Sequence, residues 1–159
     1  MVGSDAAINQ EAAPSWVRHV LVPADGSEAS LHGLALAADV ARRIGARVTV
    51  LFVRHEPAGA SLSQGSTGGS VEQTLEEMEA EVRAAAARAF HRGTSWDLAV
   101  RSGSPGEQVL EAVKETGANL VIVGSERHSP VHNVLLGSTT AYLTSHSPVP
   151  VLVARPVDG

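Results

Sequence analysis

The sequence of 159 residues contains no cysteine, which removes disulfides, thiol catalysis and thiolate metal sites from consideration. Aromatic residues make up only 3% of it, so the core must be aliphatic, and Trp16 and Trp96 are read as packing residues rather than as a platform for bases. No apolar run reaches the about eighteen residues that a membrane-crossing helix needs, so no membrane span is expected. An excess of basic residues is also missing. The net charge is −5, which argues against non-specific nucleic-acid binding, because that requires a basic face to displace counterions. Residues 1–15, MVGSDAAINQEAAPS, have neither a basic n-region nor an apolar h-region. They are read as a mobile tail outside the fold, and a cytoplasmic location is expected.

Familiar catalytic and nucleotide loops are missing as well. The turn after the first strand, Pro23-Ala24-Asp25-Gly26-Ser27, has no G-x-G-x-x-G, which speaks against a dinucleotide-binding domain. There is no G-x-x-x-x-G-K-S/T phosphate loop, and the first turn lacks the S-G-G-x-D-S of ATP pyrophosphatases. Ser125 lies in V-G-S-E-R rather than in the G-x-S-x-G of a nucleophile elbow. His128 and His132 stand four apart, but Pro130 between them argues for loop, and no third metal ligand is evident.

What remains is an alternation of short apolar runs and amphipathic segments. Residues 17–23, 47–53, 95–101, 119–123 and 149–154 read as strands, rich in Val and Leu. Between them Leu31, Leu34, Ala35, Ala38 and Ala41 recur at helical spacing up to Gly45, and Val71, Leu75, Met78, Val82, Ala86 and Ala89 do the same. Glu76, Glu77, Glu79 and Glu81 are expected on the solvated side of that second helix. Ser104-Pro105-Gly106-Glu107 has the form of a capping box opening a third helix, and a short fourth is expected near 138–146. Residues 56–70, rich in Gly and Ser, are expected to form a flexible loop. The alternation predicts one α/β domain over residues 16–157: an open five-stranded parallel sheet, Rossmann-like, with helices on both faces. In such sheets a ligand sits beyond the carboxyl ends of the strands, where the strand order reverses.

After the fourth strand stand Gly124-Ser125-Glu126-Arg127, nine further residues, and then Gly137-Ser138-Thr139. With HVLVPADGSE at 19–28, VTVLFVRH at 48–55, GSPGEQVL at 103–110 and residues 120–154, ending LLGSTTAYLTSHSPVPVLVA, the sequence resembles the universal stress protein family over residues 17–156. The resemblance implies an adenine nucleotide alpha hydrolase-like fold, a stress-response or regulatory role, and ATP as ligand, with or without Mg2+. The ATP-binding branch carries G-x2-G-x9-G-S/T. Gly124, Gly137 and Ser138 match it, and Thr139 adds a hydroxyl. Glycines let backbone N–H groups approach phosphate oxygens, and a helix N-terminus adds donors and a positive dipole end.

By the same resemblance Asp25 would contact the ribose or a metal-bridged phosphate, while Ala24 and Val53 would flank the adenine. Arg127 occupies the place of the second motif glycine, where it would either fill the phosphate pocket or grip a phosphate with its guanidinium. A nucleotide-free dimeric interaction module of the same fold is therefore the alternative. No tuned general base is visible, so any ATP hydrolysis is expected to be slow. A homodimer paired through strand 149–154 is expected, since that apolar strand would otherwise be an exposed edge. Asp25, Gly124 and Ser138 also admit plain structural readings, as a helix cap, a strand end and a helix cap.

Overall fold

The computed structural model describes residues 16–55, 68–125 and 137–156. Five strands and four helices alternate among the described residues: β1 (His19–Pro23), α1 (Glu28–Ile44), β2 (Arg47–Arg54), α2 (Gly68–Ala89), β3 (Trp96–Ser102), α3 (Pro105–Thr116), β4 (Leu120–Gly124), α4 (Ser138–His146) and β5 (Val151–Ala154). All strands are parallel and lie in the order β3-β2-β1-β4-β5. The chain builds outward from β1 through β2 to β3, then crosses back to β4 on the other side of β1. The order therefore reverses between β1 and β4, and a ligand crevice is expected at their carboxyl ends.

Alternate residues of each strand feed two separate cores, which is why the strands read as continuous apolar runs. Val20, Val22, Val48, Val50, Phe52 and Ile122 pack under Leu34, Ala37 and Ala41 of α1 and Leu75, Val82 and Ala86 of α2. Leu21, Leu51, Val121 and Val123 face the other way, onto Val109, Ala112 and Val113 of α3 and Leu143 of α4. Each fully buried Val, Leu, Ile or Phe contributes roughly 1.5–3 kcal/mol. Gly45 and Gly117 end α1 and α3 in the left-handed conformation and return their N–H groups to Ala41 and Val113, as helix-closing glycines do.

Two arginines tie helices to strand ends on opposite faces. Arg54 donates to Glu72 at 2.7 Å and Glu79 at 2.9 Å, holding α2 against β2. Arg101 donates to Gln108 at 2.7 Å, Glu111 at 2.9 Å and Glu115 at 2.5 Å, holding α3 against β3. Glu79 thus departs from the solvated role expected of it: it is half-buried under Arg54, while Glu76, Glu77 and Glu81 are exposed. α2 begins at Gly68, so the last three residues of the expected 56–70 loop form its first turn, while 56–67 lie outside the described residues. Ser104 and Pro105 start α3 as expected, yet the serine side chain makes no cap bond. Its carbonyl accepts from Gln108 instead, so the reciprocal box is not formed.

Among the described glycines, the tightest surroundings are where α1 meets β4. A Cβ added to Gly124 would stand 1.7 Å from the Ala29 carbonyl oxygen, and one added to Gly33 would stand 3.2 Å from the Gly124 nitrogen. Residue 124 therefore needs glycine for the helix to seat on the strand at all. Gly124→Ala is expected to destabilise the unliganded protein by about 1–3 kcal/mol or more, as overpacking does. Urea unfolding without nucleotide measures this, and an unchanged midpoint would refute it.

At the opposite end of the sheet His19 is buried. Its Nε2 lies 2.7 Å from Thr49 Oγ1, and Thr49 in turn donates to Asp97 at 2.9 Å. Its Nδ1 lies 3.3 Å from the Thr116 carbonyl. Burial, followed by the nearby Arg47, pushes the imidazole below its ordinary value of 6.5, with the Thr116 carbonyl and Asp97 opposing in part. The unfolded chain then binds the proton more readily than the folded one, so this contribution to stability is present above 6.5 and is lost as pH falls from there through the folded value. Urea titrations from about pH 8 down to about pH 5 should show a steeper loss of stability for the parent than for His19→Gln. Parallel curves would remove His19 as the cause.

Candidate functional site

The crevice expected from the strand order is present. A cavity of about 490 Å³ opens at the carboxyl ends of β1, β2 and β4. Its lining residues come from seven elements, β1, α1, β2, α2, α3, β4 and α4, and from the turns that join them.

β1 ends at Pro23, and Ala24 continues the ladder by donating its N–H to the Leu51 carbonyl at 3.0 Å. The chain then turns sharply. Asp25 Oδ1 accepts the Ser27 N–H at 2.9 Å, and Gly26 takes a positive φ of 86°. Ser27 caps α1 by accepting from the Ser30 N–H at 3.2 Å, while Ser30 Oγ donates to the Ser27 carbonyl and accepts from the Gly26 N–H. Asp25 is thus a turn residue rather than the cap, and its carboxylate stays exposed at the cavity edge. The turn is locked by its own hydrogen bonds and presents hydroxyls and one carboxylate to the crevice.

On the far side β4 ends at Gly124, and Ser125 is anchored to β5 through its N–H and hydroxyl, both donating to the Ala154 carbonyl. Arg127, His128 and His132 lie outside the described residues. The chain returns to the cavity at Gly137, which is the N-cap of α4 (φ −53°), with no side-chain cap bond. Ser138 is therefore the first helical residue and not the cap. With Thr139 and Thr140 it forms a first turn whose N–H groups have no intrahelical partners, so the positive end of α4 borders the cavity.

Seven of the eight residues singled out from the sequence line this one cavity: Ala24, Asp25, Val53, Gly124, Gly137, Ser138 and Thr139. Arg127 is the eighth. The sequence reading missed Leu51 below, Leu75 and Met78 on the overhanging face of α2, and His55 just past β2. Leu75 and Met78 were legible as one helical face, but nothing local says that part of this face closes a cavity. For His55 no signal existed beyond its position after a strand.

The lining divides by chemistry. Ala24, Leu51, Val53, Leu75, Met78 and Val123 make an apolar half suited to a flat ring. The Ser27 hydroxyl and the first turn of α4 make a donor-rich half suited to an oxygen-rich anion. Asp25 is the one carboxylate among the described lining residues, and no Lys or Arg is among them. No group of three His, Asp or Glu side chains among the described residues could hold a metal. Nor is any helix among them long and apolar enough to cross a membrane.

Comparison with known proteins bears on the architecture as a whole. Universal stress protein YxiE of Bacillus subtilis is 29% identical over 147 residues, covering 86% of this chain and 97% of its own. The solved universal stress protein UspA from Lactobacillus plantarum superposes with a TM-score of 0.71 at 24% identity, covering 87% of this chain and 98% of that one. A universal stress protein solved in complex with cAMP has a TM-score of 0.60 at 23% identity, covering 87% of this chain and 97% of that one. These two structures share the fold. The profile of the Universal stress protein family matches residues 17–155, and with the parallel sheet and its reversal at β1 and β4 this places the chain in that family.

Proposed function

We propose that this protein binds an adenine nucleotide, ATP in the first instance, in the cavity between the β1–α1 turn and the N-terminus of α4, and that it serves a stress-response or regulatory role rather than efficient catalysis. The observation that carries the reading is the convergence of seven residues, from segments up to 115 positions apart, on one cavity. Its apolar half suits adenine between Ala24 and Val53. Its donor-rich half suits phosphate at Gly137, Ser138 and Thr139, and the exposed carboxylate of Asp25 suits a ribose hydroxyl or a Mg2+-bridged phosphate. The cAMP complex of a protein with the same fold supports an adenine ligand. The ring nitrogens of His55 and the carboxylate of Asp25 are the titratable side chains among the described lining residues, and neither forms a hydrogen-bonded pair with a nucleophile there. Slow hydrolysis at most is the corresponding expectation.

Isothermal titration with ATP, ADP and AMP, with and without Mg2+, tests the proposal. A submicromolar dissociation constant for at least one of them is expected, and Asp25→Ala should weaken it about tenfold, the scale of a hydrogen bond to a charged group. Absence of heat with all three would end the reading. A nucleotide-free interaction module is the second reading, favoured by Arg127 in the place of a motif glycine. If Arg127→Gly binds ATP where the parent does not, that second reading holds.

We also propose a homodimer paired along β5. Among the described residues this strand lies at the edge of the sheet with β4 as its one neighbouring strand, and Leu152 is 40% exposed on it. Leu152→Glu should convert a dimer to monomer in sedimentation velocity at micromolar concentration, whereas a parent that is already monomeric would refute the pairing.

A further inference from the structure

Among the described side chains that β2 and α2 contribute to the cavity, His55 is the one that carries a ring nitrogen. The others are Leu51, Val53, Leu75 and Met78, so a polar contact to a ring held in that half has few protein sources. The imidazole is held by a single backbone residue of the neighbouring strand end. Gly103 donates its N–H to the Arg54 carbonyl at 3.1 Å and offers its own carbonyl to His55 Nδ1 at 3.3 Å, extending the β2–β3 pairing past Ser102. Gly103 stands at φ +137°, and a Cβ there would come within 2.9 Å of Gln108 Nε2, so the position takes glycine. Gln108 is itself engaged by Arg101 at 2.7 Å, which fixes the surroundings of that carbonyl.

A carbonyl oxygen only accepts. The neutral imidazole therefore carries its proton on Nδ1 and leaves Nε2 as a bare acceptor at the cavity rim. We propose that His55 is a specificity residue that reads the base: its Nε2 accepts a hydrogen bond from the exocyclic amine of a 6-aminopurine and disfavours 6-oxopurines. An inosine nucleotide carries the same sugar and phosphates but presents a carbonyl oxygen in place of that amine, so two acceptors would face each other. With the amine replaced by an acceptor, the hydrogen bond to Nε2 is lost and two lone pairs oppose each other. This inference rests on the adenine-nucleotide reading of the cavity and adds to it the group that distinguishes adenine from its deaminated counterpart.

The test compares each adenine nucleotide with the inosine nucleotide of the same phosphate number, ATP with ITP and AMP with IMP, on the full-length protein by titration calorimetry. The parent should favour adenine by about tenfold or more, the range of one well-placed hydrogen bond. His55→Leu should bring the two within about twofold of each other, mainly by weakening adenine. His55→Gln should do so by strengthening inosine, because a side-chain amide presents either a donor or an acceptor. Far-UV circular dichroism on both variants confirms that they fold, and either folded variant is sufficient. Equal affinity of the parent for adenine and inosine nucleotides overturns the role of His55 while leaving the nucleotide site standing. An adenine preference that persists in both variants overturns it too. A parent that binds neither base removes the site and the specificity residue together.

Discussion

The Ala29 carbonyl oxygen occupies the space that a methyl group on residue 124 would need. Because α1 sits this close to β4, its first turn reaches across the point where the strand order reverses, and the β1–α1 turn is brought level with the end of β4. A helix displaced outward by the size of a side chain would separate Asp25 and Ser27 from the N-terminus of α4, and the lining would no longer enclose one volume. In the sequence Gly124 was the first glycine of a phosphate-binding pattern. In the fold it is first a packing residue, and any approach to phosphate comes on top of that.

The sheet itself is secured differently. Both faces of its central strands are aliphatic and covered, with Val and Leu alternating between two cores that share no side chain. Such a sheet has little to offer chemically along its faces, so polar function concentrates at its two ends. At the carboxyl end stand the serines, Asp25 and the open first turn of α4. At the amino end a chain of hydrogen bonds runs from His19 through Thr49 to Asp97 across three strands. The first end faces a cavity, whereas the second is closed off by the end of α3.

How much of this was legible in the sequence depended on the range of the forces involved. Strand and helix identities follow from local periodicity, and β4, apolar from Leu120 to Val123, sat where it was expected to within one residue. Caps were less legible, because they depend on individual rotamers. Ser104 had the right neighbours for a capping box yet left its side chain out of the cap, and Gly137 rather than Ser138 caps α4. Roles that exist only across the fold escaped altogether: the half-buried pairing of Glu79 with Arg54, the overhang of Leu75 and Met78, and the reason for glycine at 124. Seven candidate residues nevertheless fall on the lining of one cavity, because a matched motif carries spacing information that periodicity lacks.

The walls and floor of the cavity answer to different forces. Its floor is set by aliphatic packing, which salt hardly weakens. One wall, Leu75 and Met78, belongs to a helix that Arg54 grips at Glu72 and Glu79, one to either side of those two residues. These pairs are partly exposed and so are sensitive to screening. Added salt would therefore weaken these two ion pairs and leave the aliphatic seat of Leu75 as it is: of the two forces that hold this wall, one answers to the solvent and the other does not.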